Sequence, residues 1–383
     1  METFDFETPV SRLNTGSLKW EKYRDKDILP LWVADMDFKS PKPVLDALSA
    51  RVDHGVYGYT QPYASVESAV INYLDRSHGM KVERSSLVWL PGLVPALNVA
   101  ARACGEPKDA VMTSTPVYPP FLTSPENQLK TLITNALIYV DGKYTFDFEA
   151  MEQSITPETR MFILCNPHNP VGRAFSKEEL LQLADFCVKH DLWLVSDEIH
   201  CDLLLDEGLT HVAAGTLDHP IREKLISLFA PSKTYNLPGL ACSVAVIEDK
   251  KTRLAFQRAA RGMITEVNCF GYAGCQAAYD HGEPWRQALL KTLRGNRDLL
   301  YTSLEPYKDR ISMRPMEATY LAWMDFTGFK APSLTNHFEN HGIGLSDGTF
   351  FRTPGYLRLN FGCPRSVLEQ GIERLIEGIQ TLS

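Results

Sequence analysis

One lysine follows a small hydroxyl residue just after an apolar run in this 383-residue chain. The run covers residues 225–229, and Ser232 and Lys233 follow it. A lysine amine at the end of a buried strand can form a Schiff base with an aldehyde cofactor, and a neighbouring hydroxyl can bind a phosphate. Because a lone lysine is usually a solvated surface charge, this interpretation depends on further residues.

Two upstream segments have the same pattern, an apolar run that ends in a polar side chain suited to chemistry. Residues 161–165 lead into a proline-flanked turn that presents Asn169, and residues 192–195 lead into Asp197. The intervals of 28 and 36 residues that separate Asn169, Asp197 and Lys233 leave room for a crossover between parallel strands. Open α/β sheets bind ligands at the carboxyl ends of their strands, so these three side chains are expected in one site.

The remaining pattern alternates strands and helices up to about residue 280, which indicates a mostly parallel sheet covered by helices. Helical patterns cover residues 43–52, 65–78, 176–190, 250–263 and 283–306, and strand patterns cover residues 87–90, 319–326 and 356–361. The first 45 residues are rich in Pro and Asp and predict extended, irregular chain. We expect three parts, namely an N-terminal segment (1–45), a large domain (46–280) and a small C-terminal domain (281–383).

Composition excludes several classes of protein. The net charge is −8 and no basic run stands out, so we expect no nucleic-acid partner. No segment reaches the roughly 18 apolar residues of a membrane span, and the acidic N-terminus does not resemble a signal peptide. The eight cysteines form no CxxC pair, which predicts reduced thiols in a cytoplasmic protein, with neither disulfides nor a bound metal.

Five motifs occur in a fixed order along the chain. The three core motifs are Asn-Pro-His-Asn-Pro-x-Gly at 166–172, Ser-Asp-Glu-Ile-His at 196–200 and Ser-Lys-Thr-x-Asn at 232–236, and the terminal motifs cover 32–38 and 356–364. Together they resemble the fold-type I pyridoxal-phosphate enzymes of the aminotransferase class I/II group. The terminal motifs resemble the branch of cystathionine β-lyases and cysteine C–S lyases.

This resemblance covers nearly the whole chain and implies a fold and a cofactor. The fold is the α/β fold of pyridoxal-phosphate-dependent transferases, with a mostly parallel central sheet in a large domain and a smaller α/β C-terminal domain. The cofactor is pyridoxal 5′-phosphate. Lys233 would carry it covalently and then act as the base for the Cα proton, as a lysine of lowered pKa can. Asp197 would pair with the pyridine nitrogen, and Asn169 would donate to the phenolate oxygen.

The phosphate is expected at a helix start, where Leu93 and Val94 offer backbone N–H groups and Ser232 adds a hydroxyl. The chain departs from the family pattern at two positions. Many aminotransferases carry a phosphate-binding arginine eight residues after the lysine, and this chain has Ala241 there. His200 stands where aspartate aminotransferases carry a tyrosine, so its role toward the phenolate oxygen, direct or supporting, stays open.

Three further site residues follow from the resemblance. Tyr118 matches the aromatic residue that stacks on the cofactor ring. Tyr59 resembles the tyrosine that crosses a dimer interface toward the neighbouring cofactor and substrate, which implies a homodimer with shared active sites. Arg358 is the candidate for binding the α-carboxylate of a small amino-acid substrate through two parallel hydrogen bonds.

The terminal motifs favour α,β-elimination from L-cystathionine or related S-substituted cysteines, with a thiol, pyruvate and ammonia as products. A second hypothesis is an aminotransferase that uses the same Lys233, Asp197 and Arg358. A third is a regulatory protein that binds a transcription factor, a role attributed to one relative in this branch. No feature of the sequence requires the regulatory role.

Overall fold

The structure is a computed structural model that describes residues 4–382. Its β-strands are β1 (Leu29–Pro30), β2 (Leu87–Leu90), β3 (Ala110–Thr115), β4 (Thr131–Ala136), β5 (Ile138–Val140), β6 (Lys143–Thr145), β7 (Thr159–Cys165), β8 (Trp193–Asp197), β9 (Leu225–Phe229), β10 (Ser243–Val246), β11 (Ser312–Met313), β12 (Leu321–Asp325), β13 (Ile343–Gly344), β14 (Ser346–Asp347) and β15 (Tyr356–Asn360). Its α-helices are α1 (Leu18–Glu21), α2 (Lys42–His54), α3 (Ala64–His78), α4 (Leu93–Ala103), α5 (Pro119–Asn127), α6 (Phe148–Ser154), α7 (Lys177–Lys189), α8 (Lys250–Ala260), α9 (Cys269–His281), α10 (Glu283–Leu304), α11 (Leu334–Asn340) and α12 (Arg365–Thr381).

The largest sheet has seven strands in the order β2-β10-β9-β8-β7-β3-β4. The five strands from β9 to β4 in that order are mutually parallel, and β10 runs antiparallel to both of its neighbours. The apolar strands β7, β8 and β9 are buried along almost their whole length, as expected for parallel strands covered on both faces. The predicted α/β class with a mostly parallel sheet is confirmed.

A second, antiparallel sheet lies in the C-terminal part of the chain, with the strand order β11-β12-β15-β14. The helix α12 packs against both α10 and α11, and α11 also contacts β14 of this sheet. The N-terminal segment reaches this region, because β1 pairs in parallel with β13. The domain boundaries near residues 45 and 280 stay a prediction.

The helices and strands lie close to their predicted positions, with differences of a few residues at their ends. The helix predicted over 250–263 ends earlier, at Ala260. The first 45 residues are less irregular than predicted, since they contain α1 and β1. Within residues 4–382, every helix is too short or too polar to cross a membrane.

Candidate active site

The three core motifs follow three neighbouring strands of the central sheet. In the parallel register, Cys165 of β7 lies opposite Asp197 of β8, which in turn lies opposite Leu228 of β9. The residues after these strands therefore emerge at the same edge of the sheet. Asn169, Asp197 and Lys233 line one cavity of about 270 Å³ at this edge.

Eight of the ten site residues predicted from the sequence line this cavity, namely Leu93, Val94, Tyr118, Asn169, Asp197, His200, Ser232 and Lys233. The other two lie elsewhere. Tyr59 is fully exposed and lines a separate groove formed by residues 57–61 and 264–270. Arg358 is buried and does not line the cavity, but it contacts Asn169.

The Lys233 amine contacts the N-terminal segment. Its Nζ donates to the backbone carbonyl of Ala34 at 2.6 Å, and the Tyr320 hydroxyl donates to the same oxygen at 2.9 Å. Burial lowers the pKa of Lys233 to about 8, although the nearby Asp35 acts in the opposite direction. A substantial fraction of the amine is therefore neutral near pH 8, as a nucleophile or a general base requires.

Asp197 is a buried carboxyl group at the end of β8. One of its oxygens accepts a hydrogen bond from the backbone N–H of Ile199 at 3.1 Å. Burial raises the pKa of Asp197 to about 7, and this N–H and Lys233 only partly oppose the shift. A cation bound against this carboxylate would lower the pKa again. The site therefore fits the protonated ring nitrogen of pyridoxal phosphate.

Arg358 fixes the orientation of the Asn169 amide. Its Nη1 donates to Asn169 Oδ1 at 3.0 Å, which leaves the amide N–H groups of Asn169 as donors toward a ligand oxygen. Its Nη2 donates to the backbone carbonyl of Trp32 at 3.0 Å and to Ser346 at 3.3 Å. The Nε of Arg358 has no partner among the described residues. Burial lowers the pKa of Arg358 to about 10.

The wall formed by α4 suits a phosphate. The helix begins after Gly92, whose φ of 142° is open to glycine and strained for other residues. The N–H groups of Leu93 and Val94 stand in the first turn, where no helical carbonyl is available to them. Ser232 and Ala241 line the same cavity. Among the described residues that line it, Lys233 is the one lysine or arginine.

His200 and Tyr118 complete the polar wall of the cavity. His200 is 2% exposed, and its Nδ1 has no hydrogen-bond partner among the described residues. Burial holds its pKa well below the ordinary value of 6.5, so the imidazole is neutral. The backbone N–H of Tyr118 donates to the carbonyl of Asn169 at 3.1 Å, which ties the aromatic residue to the Asn169 turn.

Sequence reasoning missed the residues that hold the N-terminal segment against this site. The Asn236 side chain donates to the carbonyls of Met36 and Phe38, both at 2.8 Å, and accepts from the Met36 N–H at 3.0 Å. Asn236 has a φ of 57°, a conformation in which asparagine is enriched. Its place at the end of the Ser-Lys-Thr-x-Asn motif was a usable signal.

The sheet edge, the lysine and the helix start together define a class of protein, which comparison with known families identifies. The chain belongs to the aminotransferase class I and II family, whose model matches residues 26–375. The membership of the aminotransferase class I/II group that the five motifs predicted is confirmed.

Individual relatives span almost the whole chain. Cystathionine beta-lyase PatB of Bacillus subtilis (strain 168) is 37% identical over 97% of this chain and 98% of its own length. The crystal structure of OvoB has a TM-score of 0.96 and 36% identity, and covers 99% of this chain and 100% of its own. The structure of cystalysin from Treponema denticola, which contains pyridoxal 5′-phosphate, has a TM-score of 0.94 and 31% identity over 99% of both chains. These matches confirm the fold predicted from the resemblance.

Proposed function

We propose that this chain is a pyridoxal-phosphate-dependent carbon–sulfur β-lyase that acts on L-cystathionine or related S-substituted L-cysteines. The observation that carries the proposal is one cavity in which Lys233, Asp197 and Asn169 meet beside the start of α4. The branch follows from the relatives, since PatB is named a cystathionine beta-lyase and is 37% identical. The same comparison does not favour the aminotransferase or the regulatory hypothesis.

Each part of the cofactor has a fitting group in the cavity. Lys233 would bond to the aldehyde carbon, Asp197 would pair with the ring nitrogen, and the Asn169 amide would donate to the phenolate oxygen. Tyr118 would stack on the ring, and Ser232 with the N–H groups of the first turn of α4 would bind the phosphate. When bound, pyridoxal phosphate supplies an electron sink for the negative charge that develops at the substrate Cα.

The protein's part in the reaction is to orient the substrate and to move one proton. Lys233 would take the proton from Cα, because its lowered pKa makes the neutral amine accessible near neutral pH. The bond between Cβ and sulfur then breaks, and its electron pair leaves with the sulfur as a thiolate. Water converts the remaining three carbons and the amino group to pyruvate and ammonia.

Arg358 would bind the substrate α-carboxylate. Two of its nitrogens already donate to Asn169, Trp32 and Ser346, which holds the guanidinium in place. The Nε–H is buried and has no partner among the described residues, so a carboxylate that reached it would bind without breaking an existing hydrogen bond. His200 would act as a neutral group beside the ring, because burial disfavours its charged form.

We also propose that two copies of the chain form a homodimer with shared active sites. The segment around Tyr59 supports this, because Val56, Tyr57 and Tyr59 are all exposed at one surface. Mixing Tyr59→Phe chains with Lys233→Ala chains tests the proposal. Activity above that expected for independent subunits would support sharing, and activity no higher than that would contradict it.

We further propose that the protein works in the cytoplasm. All eight cysteines lie within the described residues, and each is buried and unpaired. Burial raises the pKa of several of these thiols, including Cys165, which favours the protonated form. Such thiols suit a reducing compartment.

The reaction itself is tested with purified protein, pyridoxal phosphate and L-cystathionine. We expect pyruvate and thiol in equal amounts, with no added keto acid, and no turnover by the Lys233→Ala variant. Transfer of the amino group to an added keto acid, without release of pyruvate and thiol, would instead identify an aminotransferase.

A further inference from the structure

A second group of buried polar side chains lies behind the proposed cofactor cavity. Asp197 and His200 line the cofactor cavity, whereas Cys201 and Asp202 line a separate cavity of about 390 Å³. His78, the last residue of α3, lines this second cavity as well. The side chains of His78 and Asp202 are 4% and 5% exposed.

These side chains form a directed chain of hydrogen bonds. Tyr73 donates its hydroxyl proton to Asp202 Oδ2 at 2.7 Å, and Thr234 Oγ1 donates to the same oxygen at 3.2 Å. His78 Nε2 lies 3.0 Å from the Tyr73 hydroxyl and 3.4 Å from Asp202 Oδ1. A hydroxyl has one proton, so Tyr73 must accept from His78. The hydroxyl protons of Tyr73 and Thr234 thus both point toward one buried carboxylate, while His78 donates to Tyr73.

Thr234 links this carboxylate to the lysine turn. It is 1% exposed and follows Lys233 directly in the chain. On the other side of the same turn, Asn236 is bound to the N-terminal segment, whose Ala34 carbonyl accepts from Lys233 Nζ. The turn is therefore fixed from behind by Asp202 and from in front by the segment that the lysine amine contacts.

We propose that Thr234 is a positioning residue for Lys233, and that Asp202, held by Tyr73 and His78, fixes Thr234 through its hydroxyl. The proposal rests on the proposed function, in which Lys233 bonds to the cofactor. Neither Thr234 nor Asp202 lines the cofactor cavity, so both act through the orientation of the turn.

The groups around His78 and Asp202 are consistent with an ion pair between these two side chains. Arg286 donates to the backbone carbonyl of Asp202 at 2.9 Å, and its own charge is paired with Glu283. His78, Cys201 and Asp202 also offer nitrogen, sulfur and oxygen atoms within 4.8 Å of one another, as a metal site does. The ion pair is favoured because the Tyr73 proton goes to Asp202, so the His78 Nε2 beside Tyr73 must itself carry a proton and has no lone pair for a metal.

The first test compares two substitutions of Thr234. Thr234→Val removes the hydroxyl and keeps the shape, whereas Thr234→Ser keeps the hydroxyl. The absorbance change on adding pyridoxal phosphate gives the rate constant at which the cofactor bonds to Lys233. Because small misplacements of reacting groups are costly, we expect a roughly ten- to hundredfold slower reaction for Thr234→Val and a rate within about threefold of the unmodified protein for Thr234→Ser.

Thr113→Val is the matched control. Thr113 is also 1% exposed, and its hydroxyl donates to the carbonyl of Ile163 at 2.9 Å within the same sheet. The control loses the hydrogen bond of an equally buried threonine hydroxyl without touching the lysine turn. We expect it to lower thermal stability and to leave the rate constant unchanged.

A second readout needs no cofactor. The pH dependence of Lys233 acetylation, followed by mass spectrometry of the cofactor-free protein, reports the titration of the amine. We expect its midpoint to shift in Thr234→Val and to stay unchanged in Thr234→Ser and Thr113→Val. If the unmodified protein does not bond to pyridoxal phosphate, the proposed function fails, while acetylation still tests the positioning role.

Three results would overturn the positioning role. The first is that Thr234→Val behaves like the unmodified protein in both measurements. The second is that Thr113→Val slows the bonding reaction as much as Thr234→Val does. The third is stoichiometric binding of Zn²⁺ that is lost in Cys201→Ser, because His78 and Asp202 would then be metal ligands rather than an ion pair.

Discussion

The segment after β8 contributes to two buried polar clusters. The pKa shifts favour the neutral forms of the groups in the first cluster and the charged forms of the groups in the second. In the proposed cofactor cavity, burial lowers the pKa of Lys233 to about 8 and raises that of Asp197 to about 7. In the second cluster burial acts against the charged forms too, but Cys201 and Asp202 raise the pKa of His78 to about 11. Burial raises the pKa of Asp202, but the nearby charge of protonated His78 outweighs it and lowers this pKa to about 2.

Burial alone therefore does not distinguish a reactive group from a structural one. The groups of the cofactor cavity have charged forms that their protein neighbours stabilise only in part, which is the condition that a bound ligand can change. The groups of the second cluster stabilise each other's charges before any ligand binds. Removing a group from either cluster, or adding one, therefore tests this difference.

The largest effect is expected from removing the amine of the cofactor cavity. Lys233→Ala should lower the elimination rate at least about a thousandfold, because both the cofactor bond and the general base are lost. Lys177→Ala, an exposed lysine at the start of α7, is the control. A Lys233→Ala variant that keeps a tenth of the activity would contradict the assignment of the base.

The next effect concerns the carboxylate-binding guanidinium. Arg358→Lys should lower kcat/KM roughly ten- to hundredfold, mainly through KM, because an ammonium group cannot reproduce the planar donors. Initial rates across a range of L-cystathionine concentrations measure this change. Arg352→Lys, at an exposed arginine, should leave the rates unchanged. An equal loss in both variants would remove Arg358 from the substrate site.

The second cluster should respond in its stability and in the pH dependence of that stability. His78→Gln should lower the free energy of unfolding by about 1–3 kcal/mol near pH 6, because the buried Asp202 and Tyr73 lose a charged hydrogen-bonding neighbour. The pKa of His78 is raised on folding, so its contribution is complete below its ordinary value of 6.5 and falls as the pH rises toward 11. The difference between the two proteins in urea unfolding should therefore shrink with rising pH.

His190→Gln is the control for this measurement, because His190 forms a more exposed pair with Glu152. It should change stability by less than about 1 kcal/mol at any pH. A His78→Gln deficit that grows between pH 6 and pH 10 would contradict the charged state of His78.

The smallest effect is expected from adding a fixed cation to the cofactor cavity. Ala241 has a φ of 51° and lines the same cavity as Ser232. Ala241→Arg should slow dissociation of pyridoxal phosphate by about threefold to tenfold, since a charge-assisted hydrogen bond to the phosphate is gained. Ala241→Met, of similar length and no charge, is the control. Faster dissociation from the arginine variant would place the phosphate elsewhere.

Much of the cofactor cavity was predictable because its parts follow a local rule. Asn169, Asp197 and Lys233 each come after an apolar run, and parallel strands bring such residues to one edge. The start of α4 was predictable for the same reason, since the Pro-Gly pair ends β2 and the apolar helix follows. Tyr118 and His200 were selected through the resemblance to the family, and with them eight of the ten selected residues line one cavity.

The second cluster was not predictable from local pattern. Asp202 lies 129 residues from Tyr73 and 32 from Thr234, and only the tertiary fold brings them together. His78 stands at the end of a helix, where a basic residue has an ordinary explanation in the helix dipole. The contact of Lys233 with Ala34 spans 199 residues and involves a backbone carbonyl, which carries no sequence signal.

The most direct test of the account is to identify the residue that bonds to the cofactor. The protein is incubated with pyridoxal phosphate, reduced with borohydride, digested and examined by mass spectrometry. The account predicts one modified lysine, Lys233, with the modification abolished by Lys233→Ala and retained in Lys177→Ala. A modification at another lysine that persists in Lys233→Ala, or none in the unmodified protein, would contradict it.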